Sequence, residues 1–201
     1  MPDYGKVIEE LKKEVDRRYK GKAIRRHILS VARFALEIAE GYAKDDEILR
    51  GKVHIAALAH DLFKKFPKQD LREYIRAEQV PIDEFCWQSG GGLLHAPAAA
   101  HFLQKVFGIS DEQIISAVYY HTTGRAGASV PEKIIFCADY LDPSREIRDN
   151  EPDVAELSER AKSKLDETYR EIVRRKIVYT LGKGKPIHPN AIDAWNEIAA
   201  G

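Results

Sequence analysis

Apolar residues recur at every third or fourth position through nearly the whole chain, the period of a helix buried along one face. Ile8, Leu11 and Val15 mark a first, heavily charged helix. Ile24, Ile28, Val31, Ala35, Ile38 and Tyr42 mark a second, closed by Lys44-Asp45-Asp46. A third is predicted over about 47–63, with Pro67 ending that region and a short amphipathic helix following over 70–77. Ser89-Gly90-Gly91-Gly92 reads as a loop, since glycine admits tight backbone turns. Pro97 suits the first turn of the next helix, which ends near Gly108.

Ser110-Asp111-Glu112-Gln113 and Ser129-Val130-Pro131-Glu132 have the form of capping boxes, with the serine as the cap in each. They open helices carrying Ile114, Ile115 and Val118, then Ile134, Ile135 and Ala138. Val154, Leu157, Ala161, Leu165, Ile172 and Leu181 fit one long helix or two broken ones, stopped by Gly182-Lys183-Gly184-Lys185-Pro186. A last short helix holds Ile192, Trp195 and Ile198. No segment shows the alternation of a strand, and there is no internal repeat or domain linker. The pattern predicts one all-α domain, a helical bundle spanning residues 1–201.

Composition narrows the function. Lys plus Arg and Asp plus Glu are each 32, so the formal net charge is zero. Such a chain makes a poor non-specific nucleic-acid binder, which relies on positive charge. The run Arg17-Arg18-Tyr19-Lys20-Gly21-Lys22 with Arg25-Arg26 is basic. Most such runs are solvated faces, but this one could draw an anionic substrate towards His27. Two isolated cysteines, Cys86 and Cys137, form no disulfide framework and fit a reducing cytoplasm. With no apolar leader and no run approaching the ~20 residues of a membrane span, a cytoplasmic location is expected.

The polar residues on these helices carry the chemistry. His27 lies between Ile24 and Val31 on an apolar face. His60 and Asp61 end the apolar run of HIAALAHDLFKKF, with Lys64 one turn on and His54 at nearly the same angle as Asp61. His95 follows the glycine loop, His121 ends an apolar helix, and Asp139 stands among Ile134, Ile135, Phe136 and Ala138. A carboxylate buried there needs a partner, either a basic side chain or a metal. Four histidines and two aspartates at helix ends or apolar faces suit Fe, Mn, Zn, Ni or Co. Six such ligands are more than one closed site needs and suit two ions sharing a bridging carboxylate.

The order His27, His60-Asp61, Asp139 resembles the HD superfamily of metal-dependent phosphohydrolases, and the intervening His95 and His121 resemble its two-metal branches. HDLFK (60–64), LLHAPAAA (93–100), YHTTGR (120–125), EKIIFCADYLDPSR (132–145) and PIHPNAIDAWN (186–196) resemble the YqeK family in particular. The resemblance covers about residue 20 to the C-terminus and leaves the first helix outside. HILSV after His27 and the small Ala98 and Ala99 depart from the family's usual neighbours.

That family consists of bacterial HD hydrolases with a di-iron centre that cleave diadenosine tetraphosphate symmetrically to two ADP. Carried over, the resemblance implies that His27, His60, Asp61 and Asp139 hold one metal. His95 and His121 hold the second, with Asp61 bridging. The ions would be iron, with Mn, Co, Ni or Zn able to use the same ligands, and a hydroxide between them would be the nucleophile. Lys64 is the expected catalytic cation. Thr122, Arg125, Arg145 and His54 are further candidates for phosphate contact, each with a plain structural alternative: a loop cap for Thr122, a salt bridge for each arginine, a buried and satisfied ring for His54. His101 is expected to face solvent, and His188 to be structural.

The implied partner is a small nucleotide, with neither nucleic acid nor membrane, and the protein a monomer or homodimer. Two alternatives compete: an HD phosphatase acting on other nucleotides, and a non-catalytic nucleotide-binding metalloprotein.

Overall fold

A computed structural model describes residues 3–89, 92–144 and 153–200, all of whose regular elements are helices. In chain order these are α1 (Tyr4–Tyr19), α2 (Ala23–Tyr42), α3 (Glu47–Ala59), α4 (Lys68–Ala77), α5 (Glu84–Gln88), α6 (His95–Phe107), α7 (Glu112–Tyr119), α8 (Val130–Tyr140), α9 (Val154–Ser163), α10 (Leu165–Gly182) and α11 (Pro189–Ala200). The all-α bundle expected from the periodicity is the observed fold. No helix among the described residues is long and apolar enough to cross a membrane.

The centre of the bundle is the pair α2 and α3, with α1, α7 and α8 packed around them. Val53, Ile55, Ala56, Ala57, Leu58 and Ala59 of α3 are all fully buried, so the last turn of this helix is apolar around its whole girth. Alanine makes that possible, because its small side chain lets neighbouring helices approach. Gly41 serves the same end in α2: a Cβ there would stand 2.3 Å from the Lys162 carbonyl of α9.

Some boundaries differ from the sequence pattern. The third helix stops at Ala59, four residues short of Phe63, and residues 60–66 form successive tight turns. The cap of α7 is Asp111 rather than Ser110: its Oδ1 accepts from the N–H groups of Gln113 at 3.0 Å and Ile114 at 3.3 Å. Both residues are good caps, and the chain turns into the helix one position later. The Gln113 side chain does not reach back; it accepts from Lys52 Nζ at 2.8 Å. At α8 the expected return bond forms, with Glu132 accepting from the Ser129 N–H at 2.7 Å. The 154–181 pattern resolves into two helices, broken at Lys164, whose φ of −139° and ψ of 60° lie outside the helical region. The short α5 was not predicted; Asp83 caps it.

Candidate metal centre

Five elements deliver the six expected ligands to one place. α2 carries His27, and the turn after α3 carries His60 and Asp61. The start of α6 supplies His95, the turn after α7 supplies His121, and α8 supplies Asp139. The atoms fall into two groups, His27, His60 and Asp139 in one, Asp61, His95 and His121 in the other, and within each group they lie within 4.8 Å of one another.

Asp61 faces both groups. Its Oδ1 lies 3.1 Å from His95 Nε2 and 3.5 Å from His121 Nε2, while its Oδ2 lies 3.3 Å from His27 Nε2. Oδ1 is buried and has no hydrogen-bond partner. Its nearest cation is the Lys64 ammonium at 3.5 Å, and a buried carboxylate oxygen without a close donor is costly unless further positive charge compensates it.

The tautomers sharpen this point. His60 Nδ1 donates to the Ala57 carbonyl and His121 Nδ1 to the Val118 carbonyl, each at 2.7 Å. His27 Nδ1 donates to Asp142 Oδ2 at 2.7 Å. Carbonyl and carboxylate oxygens only accept, so these Nδ1 atoms hold protons, and each ring in its neutral form turns an Nε2 lone pair inward. Yet His27 and His60 Nε2 are 3.3 Å apart, and His95 and His121 Nε2 3.2 Å apart. Inward imidazole nitrogens around carboxylates, with His27, His60 and His121 held from behind by an acceptor, are the donor set of a metal centre. The residues therefore fit two ions with Asp61 between them.

Without metal, the group holds a proton in one place. Burial opposes charging His27, but Asp139, Asp142 and Asp61 outweigh it and raise its pKa to about 10. Burial pushes His60 and His95 down to about 4. Asp61 stays ionised despite burial, its pKa held well below the usual carboxylate value by the surrounding imidazoles.

The substrate candidates separate. Lys64 reaches the centre, with Nζ 3.1 Å from His95 Nε2 and 3.5 Å from Asp61 Oδ1. Thr122 lines a cavity of about 520 Å³ together with Thr123, Phe85, Leu93, Ile177 and Ile187. Thr123 also bonds its neighbour, the hydroxyl donating to the Gly124 carbonyl at 2.9 Å. Arg125 is committed elsewhere: both arms of its guanidinium meet the buried Glu132, at 2.6 and 3.1 Å. The salt-bridge alternative is the one that the structure shows. His54 is not in the cluster. Its ring is part-buried on α3, and its charged neighbours are Lys12, Glu9 and Arg50 on the side of α1. The seven-residue offset does not hold, because the chain leaves the helix after its cap residue His60 and Asp61 sits in the tight turns that follow. Arg145 lies outside the described residues. His101 is half-buried, its Nδ1 3.0 Å from the Tyr74 hydroxyl, rather than facing solvent.

Two features escaped the sequence reading. Asp142, three residues after Asp139, orients His27; the D-x-x-D spacing was its only signal. Asp83, Cys86 and His188 also form a compact group. There His188 Nδ1 accepts from the Asn190 N–H at 3.1 Å, so its proton sits on Nε2 and points to Asp83 Oδ2 at 3.2 Å. With the inward nitrogen protonated, this group is a hydrogen-bonded link between α5 and the segment before α11, consistent with a structural His188.

Comparisons with known proteins agree with this geometry. The HD-domain profile matches residues 24–144. The symmetrical bis(5'-nucleosyl)-tetraphosphatase of Bacillus subtilis is 31% identical over 87% of this chain and 89% of its own. That of Halalkalibacterium halodurans is 33% identical over 86% and 87%. A crystal structure from Clostridium acetobutylicum, described as a predicted HD superfamily hydrolase involved in NAD metabolism, superposes with a TM-score of 0.82 over 96% of each chain at 31% identity.

Proposed function

Since the chain belongs to the HD-domain family and resembles its symmetrical bis(5'-nucleosyl)-tetraphosphatases over most of its length, we propose that it hydrolyses diadenosine tetraphosphate to two ADP. The observation that carries this reading is the placement of Asp61 between two groups of inward-facing imidazoles. Two ions bound there, iron in this reading, would lower the pKa of a shared water to give the nucleophile and neutralise charge on the phosphoryl oxygens.

The protein's own residues do the rest. His27, His60 and Asp139 would hold one ion and His95 and His121 the other, with Asp61 shared. The carbonyls of Ala57 and Val118 and the carboxylate of Asp142 keep the rings in the ligating tautomer. Lys64, three residues past Asp61, is placed to meet a phosphoryl oxygen and offset the charge that develops as the central bridge breaks. The cavity beginning at Thr122 and Thr123, just past His121, has the size and apolar walls suited to one nucleoside. The polyphosphate would then run from it across the centre.

Product analysis tests the proposal. Iron-loaded protein is incubated with diadenosine tetraphosphate and the nucleotides are separated by chromatography. ADP as the sole product supports it. ATP plus AMP would reject symmetrical cleavage, and no turnover with metal bound would reject the hydrolase reading.

A further inference from the structure

α1 lies outside the stretch matched by the HD domain, yet it touches the turn that carries the HD pair. The Tyr19 hydroxyl donates to the Leu62 carbonyl at 2.8 Å, and Arg18 Nη1 donates to the same oxygen at 3.2 Å. Leu62 directly follows Asp61. Both donors are enclosed: Tyr19 is 3% exposed, and the Arg18 side chain 9%. The Arg18 guanidinium lies 4.6 Å over the Phe63 ring and 4.7 Å over Phe102, while its Nε holds Glu14 at 2.5 Å. Arg17, Lys20 and Lys22 form the solvated basic face expected of the run 17–22, whereas Arg18 and Tyr19 turn inward.

The carbonyl they hold is the one that matters for the helix. Had α3 continued, the Leu62 oxygen would accept from the N–H of Phe66, four residues on. Instead Phe66 bonds back to Phe63 at 3.1 Å, Lys64 to Asp61 at 3.1 Å, and Leu62 to Ala59 at 3.1 Å. The tight turns of 60–66 take the place of the extra helical turn that the apolar pattern predicted. Asp61 and Lys64 sit inside those turns, joined by one of their backbone bonds.

We propose that Arg18 and Tyr19 are positioning residues for the metal centre, fixing the Asp61–Lys64 turn by holding its Leu62 carbonyl. This rests on the reading of 60–64 as a metal- and phosphate-binding turn. Neither residue touches substrate or ion. Their role is to spare Asp61 the cost of being ordered when the ions bind, much as partners behind a ligand do elsewhere.

The test uses the full chain, Co²⁺ as probe, and the variants Tyr19→Phe, Arg18→Gln and Leu11→Ala. Leu11 is a fully buried α1 residue that does not bond the turn, so its truncation loosens α1 without removing a donor. The measurements are Co²⁺ affinity by titration, the visible spectrum of the bound ion, and melting temperature. Tyr19→Phe and Arg18→Gln should each weaken Co²⁺ by about 10-fold and change its spectrum. Leu11→Ala should lower the melting temperature while leaving Co²⁺ affinity and spectrum as in the wild type. Wild-type affinity and spectrum in both Tyr19→Phe and Arg18→Gln would overturn the proposal, as would equal loss of affinity in Leu11→Ala. If the wild type itself binds no Co²⁺, the metal-centre reading fails and this inference falls with it; an absence of nucleotide turnover alone leaves the Co²⁺ result decisive.

Discussion

Asp142 Oδ2 accepts a 2.7 Å hydrogen bond from His27 Nδ1, and the same carboxylate accepts from the Ser144 N–H at 2.9 Å and its hydroxyl at 2.7 Å. Although burial raises it, the Asp142 pKa is held down to about 2 by these and neighbouring donors. The carboxylate therefore stays ionised and keeps the proton on the outer nitrogen of His27.

Asp142→Asn should test that arrangement. An amide can turn its NH₂ towards Nδ1, which would move the imidazole proton to Nε2 and block ligation. Metal affinity should fall by about 10- to 100-fold with the fold retained. Metal titration with circular dichroism on the same sample checks it; unchanged affinity would show that His27 needs no such partner.

Lys64→Ala separates metal from phosphate. Its ammonium neighbours His95 and Asp61 but is not itself a ligand. Metal content should stay at the wild-type level while kcat/KM falls by about 10²-fold, the scale expected for one charge-stabilising donor. Loss of metal together with activity would make the lysine structural.

The metal-free protein should be most stable near pH 6 to 7. Unfolded imidazole titrates near ~6.5, whereas His60 and His95 are pushed down to about 4. Below ~6.5 the unfolded chain thus binds more protons than the native one, and stability falls with falling pH. His27 acts oppositely. Its native pKa of about 10 means that the native state holds the extra proton, so its contribution is full below ~6.5 and is lost as pH rises towards 10. Urea unfolding in EDTA across this range gives the profile. The decline between pH 6.5 and 8 should disappear in His27→Gln; a decline that persists would assign it to other groups.

Gly41→Ala should destabilise the bundle without touching the centre. The new Cβ would meet the Lys162 carbonyl at 2.3 Å, a backbone atom that cannot swing away. Overpacking costs about 1–3 kcal/mol, offset by up to ~1 kcal/mol of helix propensity. A net loss of about 1–2 kcal/mol is expected in urea unfolding, with metal affinity unchanged. Wild-type stability would mean that α2 and α9 can part at no cost.

The class of fold, and the six His and Asp side chains that the bundle brings together, were legible in the chain's local pattern. Helical periodicity is local, so Ile24 to Ile38 or Val154 to Leu165 announce their helices without knowledge of their neighbours. Histidines and aspartates on apolar faces are unusual enough to stand out, and their order along the chain resembles a known family. That reading included all six residues that the bundle brings together.

The course of the chain after α3 and the role of each cation are set by contacts between elements. The Leu62 carbonyl is held by Arg18 and Tyr19, more than forty residues earlier, and no local pattern in 47–63 records that contact. Arg125 had the right charge and position in sequence to meet phosphate, but Glu132 is buried beside it and claims both arms. Asp142 gained its role from His27, which is 115 residues away. For Leu62 and His27 the deciding partner is distant in sequence, and for Arg125 it stands seven residues on in the next helix; hydrogen bonds and ion pairs depend on which partner arrives within about 3 Å.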